Sequence, residues 1–178
     1  DGILKNAAGQ HFTFEILLAS GASDSEKVVA IYTEALKRLG IVPTVTSVDS
    51  AAYKERTNTY AFDMAWYTRA LSLSPGNEQM LYWGARGVTE EGSRNWMGMN
   101  VPAAEAMITA MTSSRDQTDF VAATQALDRI LTAGRYVIPV WYAQVSRIAY
   151  AKQLHHPETI PLYGDWPGFQ PEVWWYGE

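Results

Sequence analysis

The apolar and polar positions in the first part of the chain alternate between two periods. HFTFEILLAS places Phe12, Phe14, Ile16 and Leu18 on one parity, and the unbroken run from Ile16 to Ala19 predicts a strand buried on both faces. From Ser23 to Leu39 the period changes. Val28, Tyr32, Ala35 and Leu39, with Val29, Ile31 and Leu36, make the apolar stripe of a helix. Ser23 followed by Glu26 spells a capping box, Lys37 and Arg38 suit the last turn, and Gly40 supplies the stop. Ile41 to Val48 returns as a strand, with Pro43 near its start. Asp49 or Ser50 caps a short helix over Ala51 to Thr57, and Phe62 to Tyr67 is the third strand. Each helical connection can serve as a crossover, so a mostly parallel sheet is predicted, with antiparallel pairing of one member left open.

The second part opens with a long loop that continues to Trp96 and shows little periodicity. A loop of that length binds something or is disordered, and its aromatic content argues against disorder. Pro102 then starts a helix through Met111, with Ala104, Met107, Ile108 and Met111 on one face. SSRDQTD breaks it, and Asp116 and Asp119 bring negative charge to the start of the next helix. Phe120, Ala123, Leu127, Ile130 and Leu131 form its stripe and Gly134 its end. Tyr136 to Tyr142 reads as extended, although Pro139 suits an edge or a crossing strand, and Val145 to Tyr150 resumes the extended pattern. From His155 the chain is turn-rich yet aromatic, and such a tail needs something to pack on.

Composition narrows the function classes. The chain has 178 residues, enough for a real core, and a net charge of -5 with no Lys/Arg run, which argues against nucleic acid. Without cysteine, disulfides, thiolate catalysis and thiolate-ligated metals are excluded, while the compartment stays open. No apolar run approaches the roughly eighteen residues of a membrane span. No signal peptide is written either. Beginning at Asp1, the chain reads as a mature or cut piece whose targeting segment is lost. Seven Trp and ten Tyr either fill a core or line a recognition surface.

The loop carries the candidate chemistry. Arg69, Arg86 and Arg94 can each place a guanidinium fork on a carboxylate; the competing role is surface charge or pairing with Glu78, Glu90 or Glu91. Trp66, Tyr67, Trp83 and Trp96 can enclose a ligand or simply fill a core. An aromatic and arginine loop at a strand end fits the rule that open α/β sheets bind at the carboxyl ends of their strands. Catalytic signals are thinner. His155 and His156 lack a third metal ligand at recognisable spacing, and no G-x-S-x-G, G-x-G-x-x-G or P-loop is present. No cofactor is implied. A small hydrolase using His155 or His156, and an interaction domain with an aromatic surface, remain alternatives.

Several segments together resemble the C-terminal lobe of family 5 extracellular solute-binding proteins, the peptide, oligopeptide and nickel receptors of ABC importers, and in particular their YejA-like branch. They are DGILKNAAGQHFTFEILLAS, LKRLGI, VDSAAYKERTNTYAFDMAWY, SLSPGNEQMLYWGARG, GSRNWMG, ATQALDRIL, YVIPVWYAQVSRIAY and PETIPLYG, covering essentially the whole chain. The resemblance implies an α/β fold, a type II periplasmic-binding lobe with a mixed, mostly parallel sheet flanked by helices. It implies a non-enzymatic periplasmic receptor whose two lobes close over a short peptide or peptide-like ligand and deliver it to ABC permease subunits. Residues 1–178 are then the C-terminal lobe, with about 136–178 returning toward an N-terminal lobe absent from this sequence. The implied ligand-binding residues are Arg69 and Arg94 for a carboxylate and Trp66, Tyr67, Trp83, Asn95 and Trp96 for the wall. Ser72, Ser74 and Asn77 would hydrogen-bond a peptide backbone.

Overall fold

The computed structural model describes residues 2–69, 74–143, 145–162, 164–166 and 170–178. They fall into two compact units, Asp1–Val137 and Ile138–Glu178, each described by itself.

In the first unit, β1 (Glu15–Ala19) is the centre of a parallel sheet with β2 (Thr44–Val48) on one side and β3 (Met64–Ala65) on the other. Helix α1 (Ser23–Lys37) links β1 to β2, and α2 (Ser50–Asn58) links β2 to β3. Ile16 and Leu17 of β1 pair with Val45 and Thr46 on one side and with Met64 and Ala65 on the other. The run that predicted a doubly covered strand is the most deeply buried strand: Ile16, Leu17 and Leu18 are all inside. Val29 of α1 closes over Ile16 and Leu18, ringed by Phe14, Tyr32, Met64 and Trp66. Burying each such side chain is worth about 1.5–3 kcal/mol.

The helix ends show which local signals hold. Asp49 caps α2 as expected, accepting the Ala51 and Ala52 N–H groups at 2.9 and 3.0 Å. Asp116 does the same for α5 (Gln117–Gly134), and Pro102 opens α4 (Pro102–Ser113). The capping box at Ser23 does not form. Ala22 takes the cap position and its carbonyl receives the Glu26 N–H, so Ser23 already lies within the first turn, where its hydroxyl cannot act as the cap. Gly40 does end the helix, at φ +73, with its N–H on Lys37 and that of Ile41 on Leu36. A Cβ there would also lie 2.5 Å from the Gly2 carbonyl oxygen. Ile31 and Leu39 stand exposed, so the stripe facing the sheet is narrower than the pattern suggested. Helix α5 runs through Gly134, and it is Arg135 that adopts the left-handed conformation, at φ 53. Gly134 is bare for another reason: a Cβ would fall 2.1 Å from the Tyr136 ring.

The long loop contains order that periodicity could not reveal. Helix α3 (Glu78–Trp83) and a 3₁₀ turn (Ala85–Val88) are each too short to show a stripe. Trp83 from α3 joins Met99, Ala104 and Ile108 of the α4 region and Leu127 of α5 in a second core, bordered by Tyr82, Ile130, Leu131 and Tyr136.

In the second unit, β4 (Leu154–His155) and β5 (Trp175–Tyr176) pair antiparallel, with α6 (Gln170–Val173) just before β5. The strands expected over Tyr136 to Tyr142 and Val145 to Tyr150 do not form. An extended run becomes a strand only when a neighbour supplies ladder partners. None of the described residues there joins a ladder, Pro139 has no donor, and Ile138, Val140, Trp141 and Tyr142 are exposed.

Candidate functional site

Trp66 and Tyr67 leave the sheet directly after β3, at the carboxyl end of a parallel ladder. Their course is fixed by backbone contacts. The Trp66 N–H donates to Leu17 at 3.1 Å, and its carbonyl accepts the Tyr53 hydroxyl from α2. Burial, and secondarily the neighbouring Tyr67, pushes the Tyr53 phenol up to about 12, so this tie stays protonated at physiological pH. Trp96 stands edge-on to three rings, with centroids 4.8 Å from Tyr67, 6.2 Å from Phe62 and 6.3 Å from Tyr53. Pairs of this kind add about 0.5–1.5 kcal/mol beyond area burial. The cluster is therefore a rigid aromatic block with one half-exposed face.

Tyr82, on α3, brings in the charge. The Arg69 guanidinium carbon sits 3.4 Å from the Tyr82 ring centroid, and Arg94 donates from Nη1 to the Tyr82 hydroxyl at 2.9 Å. The Tyr67 phenol lies close enough to the same hydroxyl to influence its titration. The Arg94 hydrogen bond lowers the Tyr82 phenol, while burial, followed by the neighbouring Tyr82, raises Tyr67. Neither Arg69 nor Arg94 forms an ion pair among the described residues. Glu78, whose carboxyl feels the charge of Arg69, instead accepts the Gly76 N–H and the Gln79 side-chain amide. Arg86 is placed apart, on the 3₁₀ turn, and pairs with Glu90 at 3.4 Å.

Other candidate residues serve different ends. Trp83 is buried in the second core against Tyr136, so it fills a core and is no wall. Asn95 is 1% exposed; its amide donates to the Gly84 and Met99 carbonyls and its oxygen accepts the Met99 N–H. It holds the loop and offers nothing to a ligand. Ser74 and Asn77 lie exposed before α3, and Asn77 makes no side-chain cap bond. Ser72 is outside the described residues.

Sequence reasoning missed Tyr53, Tyr60, Phe62 and Tyr82. Tyr60 is the least expected of them. At φ 56 it is left-handed, and its hydroxyl meets the Gly87 carbonyl at 2.7 Å, the Glu90 carbonyl at 2.8 Å and Ser93 Oγ at 2.5 Å. The Asn95 N–H in turn donates to Ser93 Oγ. Tyr60 and Asn95 together pin the segment that presents Arg94 and Trp96. An open depression of about 370 Å³, lined by Met80, Leu81, Arg86 and the 87–93 turn, includes none of the aromatic block.

The second unit has its own aromatic cluster. His156 accepts the Tyr150 hydroxyl at Nε2 (3.1 Å) while its Nδ1–H donates to the Pro157 carbonyl (2.7 Å), the tautomer that a carbonyl partner demands. Trp174 packs on both rings and gives its indole N–H to Gly164. His155 stacks on Trp175. Both imidazoles sit in structural contacts, and no cluster of three or more metal-ligating side chains includes them among the described residues.

A three-stranded parallel sheet of order β2-β1-β3 with helices around it is an α/β arrangement consistent with a lobe of the type II periplasmic-binding fold. The oligopeptide-binding protein AppA of Bacillus subtilis, solved with a nonapeptide, superposes on all of this chain with a TM-score of 0.77 at 19% identity, over 34% of its own length. No family model matches the chain. Among curated proteins, a putative binding protein of Brucella melitensis is 39% identical over 99% of this chain and 28% of its own length. The probable peptide-binding protein YejA of Agrobacterium fabrum is 38% identical over 97% of this chain and 27% of its own. The chain is thus homologous, along nearly its whole length, to the YejA-like branch of the family 5 periplasmic peptide- and oligopeptide-binding proteins. It spans about a quarter of the length of the curated relatives it matches.

Proposed function

We propose that this chain is one lobe of a two-lobe periplasmic receptor that binds short peptides or peptide-like solutes and hands them to an ABC permease. The observation that carries this is the pair of arginines without carboxylate partners among the described residues, set beside a half-exposed aromatic block at the carboxyl end of the parallel sheet. The arginines suit a ligand carboxylate, and Tyr67 and Trp96 supply apolar surface for the peptide. Binding, not catalysis, is the task that the likeness to periplasmic binding proteins supports. The apolar extended segment from Val137 to Tyr142 suits a return toward a second lobe, which would supply its missing ladder partners and the opposite wall of the cleft. Such an enclosure removes water from both faces of the ligand; a single lobe offers one wall and binds weakly.

The test is calorimetry on the full-length receptor with pools of di- to hexapeptides, with hydrolysis followed in parallel. Heat of binding without turnover is expected. Turnover of any pool with no binding heat rejects the proposal.

A further inference from the structure

Resting on the receptor reading, we infer that Tyr82 is a specificity-determining positioning residue: one phenol holds two guanidinium groups, those of Arg69 and Arg94, toward a single anionic group of the ligand. Tyr82 was absent from every expectation, yet both arginines of the candidate face meet on it. Its ring borders the second core, which fixes the side chain from below. Arg69 covers the ring at 3.4 Å, and Arg94 reaches the hydroxyl at 2.9 Å. Two like charges gathered on one residue repel each other. That arrangement is favoured by an anion between them, and among the described residues no carboxylate occupies that role. Glu78 feels the charge of Arg69, but its bonds go to Gly76 and Gln79. The Arg69 Nε is buried and has no hydrogen-bond partner among the described residues. With its guanidinium carbon 3.4 Å from the ring centroid, Arg69 has less freedom to give up on binding, and the Nη1 bond acts likewise on Arg94.

This predicts discrimination by charge. The chemical class selected is a peptide with a free carboxylate, either the terminal one or that of a C-terminal acidic side chain. The experiment compares a peptide acid, its C-terminal amide and an amide ending in Glu, drawn from the tightest-binding pool, on the full-length receptor. The wild type should bind the acid or the Glu amide at least about tenfold more tightly than the neutral amide. Tyr82→Phe, which keeps the ring under Arg69 but removes the bond to Arg94, should cut that preference severalfold. Tyr82→Leu, which removes the ring as well, should abolish it. In both variants affinity for the neutral amide should fall by less than affinity for the acid. A role confined to folding would weaken all three ligands equally. Equal weakening, or a charge preference that survives in Tyr82→Leu with the melting temperature held, overturns the inference while leaving the receptor reading intact. Should no peptide of any charge bind the wild type, both fall together. Arg94→Gln, at an exposed site, covers the case of a Tyr82 variant that does not fold: it too should level acid and amide, and an unchanged preference there overturns the inference.

Discussion

The molecule carries two aromatic clusters of similar composition and opposite character. Around Trp96 the rings meet edge to edge, and the two guanidinium groups nearby form no ion pair among the described residues. Around Trp174 every described polar atom of the cluster is turned inward: His156 uses both ring nitrogens, Tyr150 bonds His156, and the indole N–H goes to Gly164. The first cluster has charge left over and the second has none. Aromatic content therefore does not identify a binding surface; what matters is which polar groups remain unspent once the rings have packed.

The sharpest way to break this contrast is to remove a residue that holds the first cluster without belonging to it. Asn95→Ala leaves the Gly84 and Met99 carbonyls and the Met99 N–H unpaired in the interior, and should cost about 3 kcal/mol in chemical denaturation. Arg94→Gln, at an exposed position, should leave stability nearly unchanged but weaken peptide binding by the full-length receptor by about tenfold or more, read by calorimetry. Tyr60→Phe keeps the ring and loses three hydroxyl contacts; about 1–2 kcal/mol of stability should go, with some loss of affinity as the 87–96 segment loosens. In the second cluster, His156→Ala should leave peptide affinity where it was, and a fall of tenfold or more would place that histidine in the site after all.

The smallest expected effect is one of pH. Glu15 and Arg56 form a two-point pair, with Nη1 on Oε1 at 3.1 Å and Nη2 on Oε2 at 2.5 Å, and Arg56 also holds the Ala61 carbonyl ahead of β3. The bond to Arg56 holds the Glu15 carboxyl below its ordinary value of 4.5. A depressed carboxylate stabilises the fold above the unfolded value and stops doing so as pH falls through the folded one. Acid titration of the wild type should thus show stability lost below about pH 4.5, and Glu15→Gln should flatten that slope while lowering the plateau above it.

How much of this was legible depends on the range of the interaction. Asp49 and Asp116 declared helix starts because their carboxylates bond to N–H groups two or three residues on, and Pro102 because its fixed φ and missing N–H suit the first helical position. The Ile16 to Leu18 run declared a central strand because burial on both faces leaves no polar position. Ser23 and Glu26 had the letters of a capping box, but the helix began one residue early and the geometry was lost. Asn95 looked like a ligand contact because an amide reads the same whether it faces solvent or the loop backbone around Gly84 and Met99. Tyr82 gave no signal at all. Its partners are Arg69, thirteen positions before it, and Arg94, twelve after, and no periodicity links residues across a loop. Tyr136 to Tyr142 had the composition of a strand, and composition cannot supply the neighbour a strand requires.

Tyr60 carries a lesson for anyone redesigning this chain. A survey of backbone angles would mark position 60, left-handed and not glycine, as a place to gain about 1 kcal/mol by substituting glycine. That survey would be wrong in sign. The side chain it discards is the bolt through which α2 fastens a turn some thirty residues downstream. Glycine would relax one residue and set the 87–96 segment adrift.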